Sequence, residues 1–217
     1  MLNEEALIRD HIARIRNVAP SSEIIVVDGG STDATADIAR AEADVFVSAP
    51  RGRASQMNTG ADQASGKYLL FLHADTNLPD NFERNLSDWA QTNPLWGYFL
   101  LRLTGASPIY RVIETMINFR TKMTSGVSGD QCQLVRADVF YSLGGFSTLP
   151  VMEDLKLSRQ LSRLSPPKLI DAHVISSSRR WEQRGIFKTI VLMWFLRSAF
   201  FLGLSPRRFS KFYGRCS

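Results

Sequence analysis

The stretch Glu23-Ile24-Ile25-Val26-Val27-Asp28-Gly29-Gly30-Ser31-Thr32-Asp33 reads as a β-branched apolar strand that stops at an acid, turns on two glycines and enters a helix. Residues 23–27 supply the strand and residues 32–43 the helix, with Ser31 as its candidate cap and Asp33 in its first turn. The same alternation continues outward: 45–48 and 68–72 read as strands, 54–64 as a helix, and Gly66 ends that helix just before the next strand. Strands alternating with helices imply right-handed βαβ units. The chain is therefore predicted α/β, a Rossmann-like, mostly parallel sheet flanked by helices.

Beyond Asp75 the pattern is mixed: a helix opened by Pro79, a strand over 97–103, a helix after Pro108, a strand over 131–135 and a short helix ending at Gly144-Gly145. A helix starting at Glu153, a strand over 169–175 and a long apolar helix over 186–202 complete it. At the front, Asn3 is the expected cap of a helix over 3–18, with Glu4 and Glu5 in its first turn and Leu7, Ile8, Ile12 and Ile15 on one face. A βα unit begins with a strand, yet only Met1 and Leu2 precede that cap. Either the sheet lacks its first strand or the native frame begins upstream.

With 217 residues, 44% of them hydrophobic, one domain over 1–217 is expected. Cys132 and Cys216 lie far apart with no histidines at ligand spacing, which supports neither a disulfide framework nor a zinc site. No secretory signal and no apolar run of about 18 residues is read, so a cytoplasmic location is expected. The net charge of +5 is unevenly spread: residues 179–217 hold nine Arg or Lys against one Glu, a surplus of eight that leaves −3 for the rest. That asymmetry points to an anionic partner.

In an open α/β sheet, ligands bind at the carboxyl ends of the strands. There the first run presents Asp28 to Asp33, and the third presents His73-Ala74-Asp75. Carboxylates repel phosphate unless a cation lies between them, so Mg²⁺ or Mn²⁺ bridging Asp75 to a diphosphate is the expected arrangement. Turn-forming and capping roles are the competing explanation for each Asp.

Leu2-Asn3-Glu4-Glu5, Val26-Val27-Asp28-Gly29-Gly30-Ser31-Thr32-Asp33, Phe71-Leu72-His73-Ala74-Asp75, Glu153-Asp154 and Arg180-Trp181 together resemble the family 2 glycosyltransferases. Arg51-Gly52-Arg53-Ala54-Ser55-Gln56-Met57-Asn58, Gly129-Asp130-Gln131 and Gly144-Gly145-Phe146 look like a subgroup of short bacterial members. The resemblance implies a GT-A fold with a nucleotide-binding half over 1–100, an acceptor half over 101–185 and apolar, basic helices over 186–217. It implies that Asp28 contacts the base or ribose, that Asp75, as the last Asp of a DxD motif, holds the metal and diphosphate, and that Asp154 is the general base. Gly30, Asp33, Arg51, Arg53, His73 and Ala74 are further candidates for the nucleotide, and Asp130, Glu153 and Trp181 for the acceptor side. Arg179 and Arg180 would stabilise the leaving group. Two departures matter: His73 replaces the leading Asp of DxD and is kept out of the metal set, and Ser177 stands where processive synthases place Gln.

The implied activity is inverting transfer from a nucleotide sugar, UDP foremost, to an unidentified saccharide, lipid or small molecule. A nucleotidyltransferase and a non-catalytic binding domain are the alternatives. The C-terminal helix is expected either to dock peripherally on the inner membrane face or to pack in the core or a homodimer, and nucleic acid is not an expected partner.

Overall fold

The computed structural model describes residues 1–204 and Pro206, without the Arg180 side chain. Cys216 and the basic positions Arg207, Arg208, Lys211 and Arg215 of the expected docking tail lie outside the described residues. The N-terminal half is built as expected, from helix α1 (Glu5–Val18), strand β1 (Ile25–Asp28), helix α2 (Thr35–Glu42), strand β2 (Val45–Ser48), helix α3 (Arg53–Ala61) and strand β3 (Tyr68–Leu70). A two-residue strand β4 (Thr76–Asn77) follows, then α4 (Phe82–Ala90), β5 (Trp96–Leu103) and α5 (Pro108–Thr124). A 3-10 turn over Gly129–Gln131 leads into β6 (Leu134–Arg136), α6 (Ala137–Ser142), α7 (Glu153–Leu161), β7 (Lys168–Ser176), α8 (Arg179–Arg184) and α9 (Ile186–Phe201).

The fold is α/β with helices flanking the strands, and its sheet is mixed. β1 and β2 pair in parallel, as do β5 and β7, whereas β3–β6, β6–β5 and β7–β4 are antiparallel. Antiparallel pairing enters where the alternation of the first half gives way to mixed elements. Strand β5 is covered on both faces, which its near-continuous apolar sequence requires. Trp96 and Tyr98 join Leu69, Val135, Phe140 and Leu157 on one side, while Phe99 joins Phe82, Trp89, Leu134 and Ile170 on the other.

The strands form two separate sheets, β1-β2 and β3-β6-β5-β7-β4. β2 occupies the β1 edge defined by the Ile24 and Asp28 carbonyls, which accept from Asp44, Val45 and Ala49. By the alternation of a strand, Val27 and Gly29 face the other edge. There the Met1 ammonium donates to the Val27 carbonyl at 2.6 Å and the Gly29 amide donates to the Met1 carbonyl at 2.9 Å. This is one rung of a parallel ladder, supplied by a single residue.

Capping differs from expectation. Asn3 does not cap its own helix: its Oδ1 accepts from the Thr32 amide at 2.9 Å, and its own amide donates to Ser31 Oγ. Glu4 and Glu5 amides donate to Thr35 Oγ1 and Asp33, while Glu5 in turn accepts from the Ala34 amide. Ser31 is no cap either, since its hydroxyl donates to Asp28 at 2.5 Å. The starts of α1 and α2 therefore satisfy each other's unpaired amides, which sets the turn after β1 rigidly against the chain's first residues.

Candidate active site

At the β1 end, the Asp28 carboxylate accepts from the Gly30 amide at 2.9 Å, the Ser31 amide at 3.0 Å and the Ser31 hydroxyl. Burial pushes this carboxyl up, but those hydrogen bonds and the Met1 ammonium outweigh it and hold Asp28 below the usual carboxylate range. Gly30 has φ of +89°, a conformation glycine adopts without cost. Asp33 accepts from the Thr35 and Glu5 amides. All three candidates thus build the turn itself. Arg51 is exposed in the loop before α3.

At the β3 end, the Thr76 amide donates to the His73 carbonyl, closing a turn that carries Ala74 and Asp75. The Ser177 amide donates to the Asp75 carbonyl at 3.1 Å, which pins the start of α8, with Arg179 and Arg180, beside this turn. The Arg180 side chain lies outside the described residues. The Asp75 carboxylate has no hydrogen-bond or ion-pair partner among the described residues. Glu4 is held above the usual carboxylate range by burial, with Arg179 opposing and Asp75 reinforcing. Two acids therefore share this crevice, and Glu4, legible in sequence only as part of a motif, joins the candidate site. No group of three His, Cys, Asp or Glu side chains able to hold a metal exists among the described residues. A lone unpartnered carboxylate still suits a divalent ion that takes its remaining ligands from a diphosphate and water.

From this crevice a polar relay crosses the molecule. Arg53 Nη2 lies 2.7 Å from His73 Nε2, and arginine can only donate, so Nε2 is the accepting nitrogen and Nδ1 carries the proton. Nδ1 faces Asp130 Oδ1 at 3.3 Å. On its other side Arg53 pairs with Glu153, its Nε 3.2 Å from Oε1. His73 is thereby committed to Arg53 and Asp130. Gly129 makes the approach feasible, because a Cβ there would sit 2.6 Å from His73 Nε2 and 2.7 Å from Arg53 Nη2.

Asp154 stands at the end of this relay. Its Oδ2 accepts from the Gly129 amide at 2.8 Å and its Oδ1 from the Leu155 amide at 2.7 Å. Each oxygen keeps a lone pair, so the group is oriented rather than consumed. Adjacent Glu153 is buried and pushed above the usual range by desolvation, which Arg53 partly offsets and Asp154 reinforces. Two non-glycine residues in left-handed conformation, Cys132 at φ +50° and Met152 at +67°, flank the Gly129 turn and the Glu153-Asp154 pair. Such strain marks places where tertiary contacts over-determine the backbone. Buried Gln133 donates to the Asp154 carbonyl at 3.0 Å and to Ser158 Oγ at 2.8 Å, tying β6 to α7. Sequence alone gave no reason to single it out.

Asp130 and Asp154 open onto a cavity of about 350 Å³ between α5 and α9. Its wall is mostly apolar, and Trp181 both lines it and packs on Leu101, Leu103, Tyr110 and Ile113. Arg120 and Arg197 also reach it. Neither was among the site residues expected from sequence, although each is a cation interrupting an apolar helix.

The Glycosyl transferase family 2 model matches residues 1–142. Poly-beta-1,6-N-acetyl-D-glucosamine synthase of Staphylococcus epidermidis is 31% identical over 102 residues, 44% of this chain and 25% of that protein. The PGL/p-HBAD biosynthesis glycosyltransferase of Mycobacterium bovis is 41% identical over 76 residues, 32% of this chain and 29% of that protein. The matched stretches thus span about a quarter of the length of these curated relatives. Among solved structures, a mannosyltransferase from Pyrobaculum calidifontis in complex with GDP-Man and Mn²⁺ superposes with a TM-score of 0.61 at 20% identity, covering 81% of this chain and 54% of that one. At that identity the likeness is one of fold.

Proposed function

Because the chain belongs to glycosyl transferase family 2, we propose that it moves a sugar from a nucleoside diphosphate donor, uridine diphosphate foremost, onto an acceptor hydroxyl by a single displacement with inversion. The observation that carries this reading is the juxtaposition of two acid sites of opposite character. Asp75 presents an unpartnered carboxylate beside Glu4, while Asp154 is held by two backbone amides at the mouth of a cavity. A cation-bridged diphosphate suits the first, and an acceptor oxygen suits the second.

In this mechanism the donor lies across the β1 and β3 ends, with the Asp28 turn beneath its nucleoside and the diphosphate toward Asp75. Mg²⁺ or Mn²⁺, when bound there, supplies positive charge that offsets the diphosphate. Asp154 accepts the proton of the acceptor hydroxyl as its oxygen attacks the anomeric carbon from the face opposite the leaving group. Attack from that face inverts the centre. Arg180 neutralises the departing diphosphate, and Arg53, fixed by Glu153 and His73, keeps a cation beside the reacting groups. Bound Mn²⁺ and GDP-Man in the mannosyltransferase of like fold support a nucleoside diphosphate donor and a divalent metal, without bearing on which base.

Asp75→Ala tests the donor half. Wild-type protein should bind a UDP-sugar in Mn²⁺ by calorimetry and lose that binding in chelator, and Asp75→Ala should lose it in either buffer with an unchanged melting temperature, since a carboxylate without partners stabilises little. Unchanged affinity of the variant in Mn²⁺ would remove Asp75 from the site.

A further inference from the structure

We propose that the acceptor is an amphiphile, with an apolar portion lying in the cavity between α5 and α9 and an anionic group held at Arg120. This rests on the transferase reading above and specifies the acceptor it takes. Along α5 and α9 the cavity is walled mainly by Ile113, Met116, Ile117, Ile190, Met193 and Trp194, none of which offers a side-chain hydrogen bond to a sugar except the Trp194 indole, with Arg120, Thr124, Arg197 and Ser198 as the polar positions among them. A free saccharide lying along those apolar residues would strip water from hydroxyls whose hydrogen bonds that part of the wall cannot replace. An alkyl or isoprenoid chain meets no such penalty and gains by leaving water. The cavity also runs into exposed apolar surface, with Met116, Trp194 and Phe201 both lining it and remaining about half exposed or more. A chain longer than about 350 Å³ can therefore continue out of it.

The charge argument is independent of the apolar one. Arg120 reaches this wall, its Nε is buried without a hydrogen-bond partner, and it forms no ion pair among the described residues. Its one side-chain hydrogen bond among the described residues runs 3.3 Å from Nη2 to Thr121 Oγ1. Burial lowers its affinity for the proton, neighbouring Arg197 lowers it further, and Asp154 and Asp130 only partly restore it, to a pKa of about 9. Two cations thus face one apolar wall, and the repulsion of the second outweighs the attraction of either carboxylate. An anion beside Arg120 satisfies its orphaned donor and offsets the repulsion. Arg53 also lines the cavity but is engaged by Glu153 and His73.

Trp181 and Trp194 line the cavity, whereas Trp89 and Trp96 are buried in other clusters, so intrinsic fluorescence reads occupancy. The full chain is titrated with decyl phosphate below its micelle concentration, with decanol and inorganic phosphate as separate arms. Saturable quenching or blue shift is expected with decyl phosphate, at an affinity at least ~10-fold above either other arm, the factor that one charge-assisted hydrogen bond supplies. Arg120→Gln should bring decyl phosphate to the decanol affinity, and Ser198→Phe, which fills the cavity from an exposed helix position, should abolish both. No saturable change, equal affinity for decanol and decyl phosphate, binding of phosphate as tight as decyl phosphate, or retained affinity in both variants would each overturn the proposal. Neither donor nor metal enters this titration. Failure of UDP-sugar binding in Mn²⁺ therefore overturns the transferase reading separately, by a different measurement.

Discussion

Asp154 and Glu153 are neighbours in sequence with opposite electrostatic positions. Asp154 accepts two backbone amides, so Asp154→Asn not only removes the proton acceptor but turns an amide NH₂ toward one of those donors. Transfer should fall by at least ~10²-fold while donor affinity is kept. Stability should fall by about 1–3 kcal/mol, the cost of a partly buried donor left unpaired. Diphosphate release and a denaturant midpoint separate the two effects, and near-normal transfer would assign the pair to structure. Glu153 is pushed above the usual glutamate range, first by burial. A carboxyl raised in the folded state contributes stability that is complete below its unfolded pKa of about 4.3 and is lost as pH rises through the folded value. Glu153→Gln removes that loss, so the melting temperature of the variant minus that of the wild type should increase as pH rises from about 4 toward neutrality. A difference that is flat, or that shrinks, would show the ion pair with Arg53 to outweigh desolvation.

At the scale of elements, the edge of β1 away from β2 receives one rung from Met1 and nothing further among the described residues. The Ile25 and Val27 amides face that edge, whereas those of Val26 and Asp28 face β2. Amide hydrogen exchange should therefore be distinctly faster at Ile25 and Val27 than at Val26 and Asp28, an alternation within one four-residue strand. Equal protection along β1 would mean that the edge is covered in solution. Helix α9 presents a second exposed edge. Leu196 and Ala199 pack on Val151, Met152 and Leu155, but Phe187, Val191, Trp194 and Phe195 are more than half exposed. Helix α9 thus packs on the core along one side and leaves the other exposed.

For the whole molecule, Trp194 of that side lines one cavity with Met116 of α5, whose Val112, Phe119 and Met123 are exposed as well, and no helix among the described residues is long and apolar enough to cross a membrane. Apolar surface of this extent, followed in sequence by four basic residues between 207 and 215, suits peripheral contact with an anionic bilayer. The protein should float with anionic vesicles at low salt and lose most of that association in high salt, and Phe187→Ser with Phe195→Ser should abolish it. Association unaffected by salt and by both substitutions would remove α9 from the membrane contact, leaving a copy-to-copy interface to be sought by sedimentation. The placement of strands and helices in the first half was legible in sequence, because apolar period, glycines and strand-end acids act over a few residues. So was the placement of Asp28 and Asp75 at strand ends and of Glu153 and Asp154 at a helix start. What these groups do was decided only by contacts between segments distant in the chain. Asp28 and Asp33 are spent on the turn because Asn3, Glu4 and Glu5 dock on it. His73 is committed to Arg53 and Asp130 across separations of 20 and 57 residues. Arg120 and Arg197 influence each other because α5 and α9 line one cavity, and hydrogen bonding, desolvation and charge repulsion depend on distance in space, which no local pattern of residues specifies.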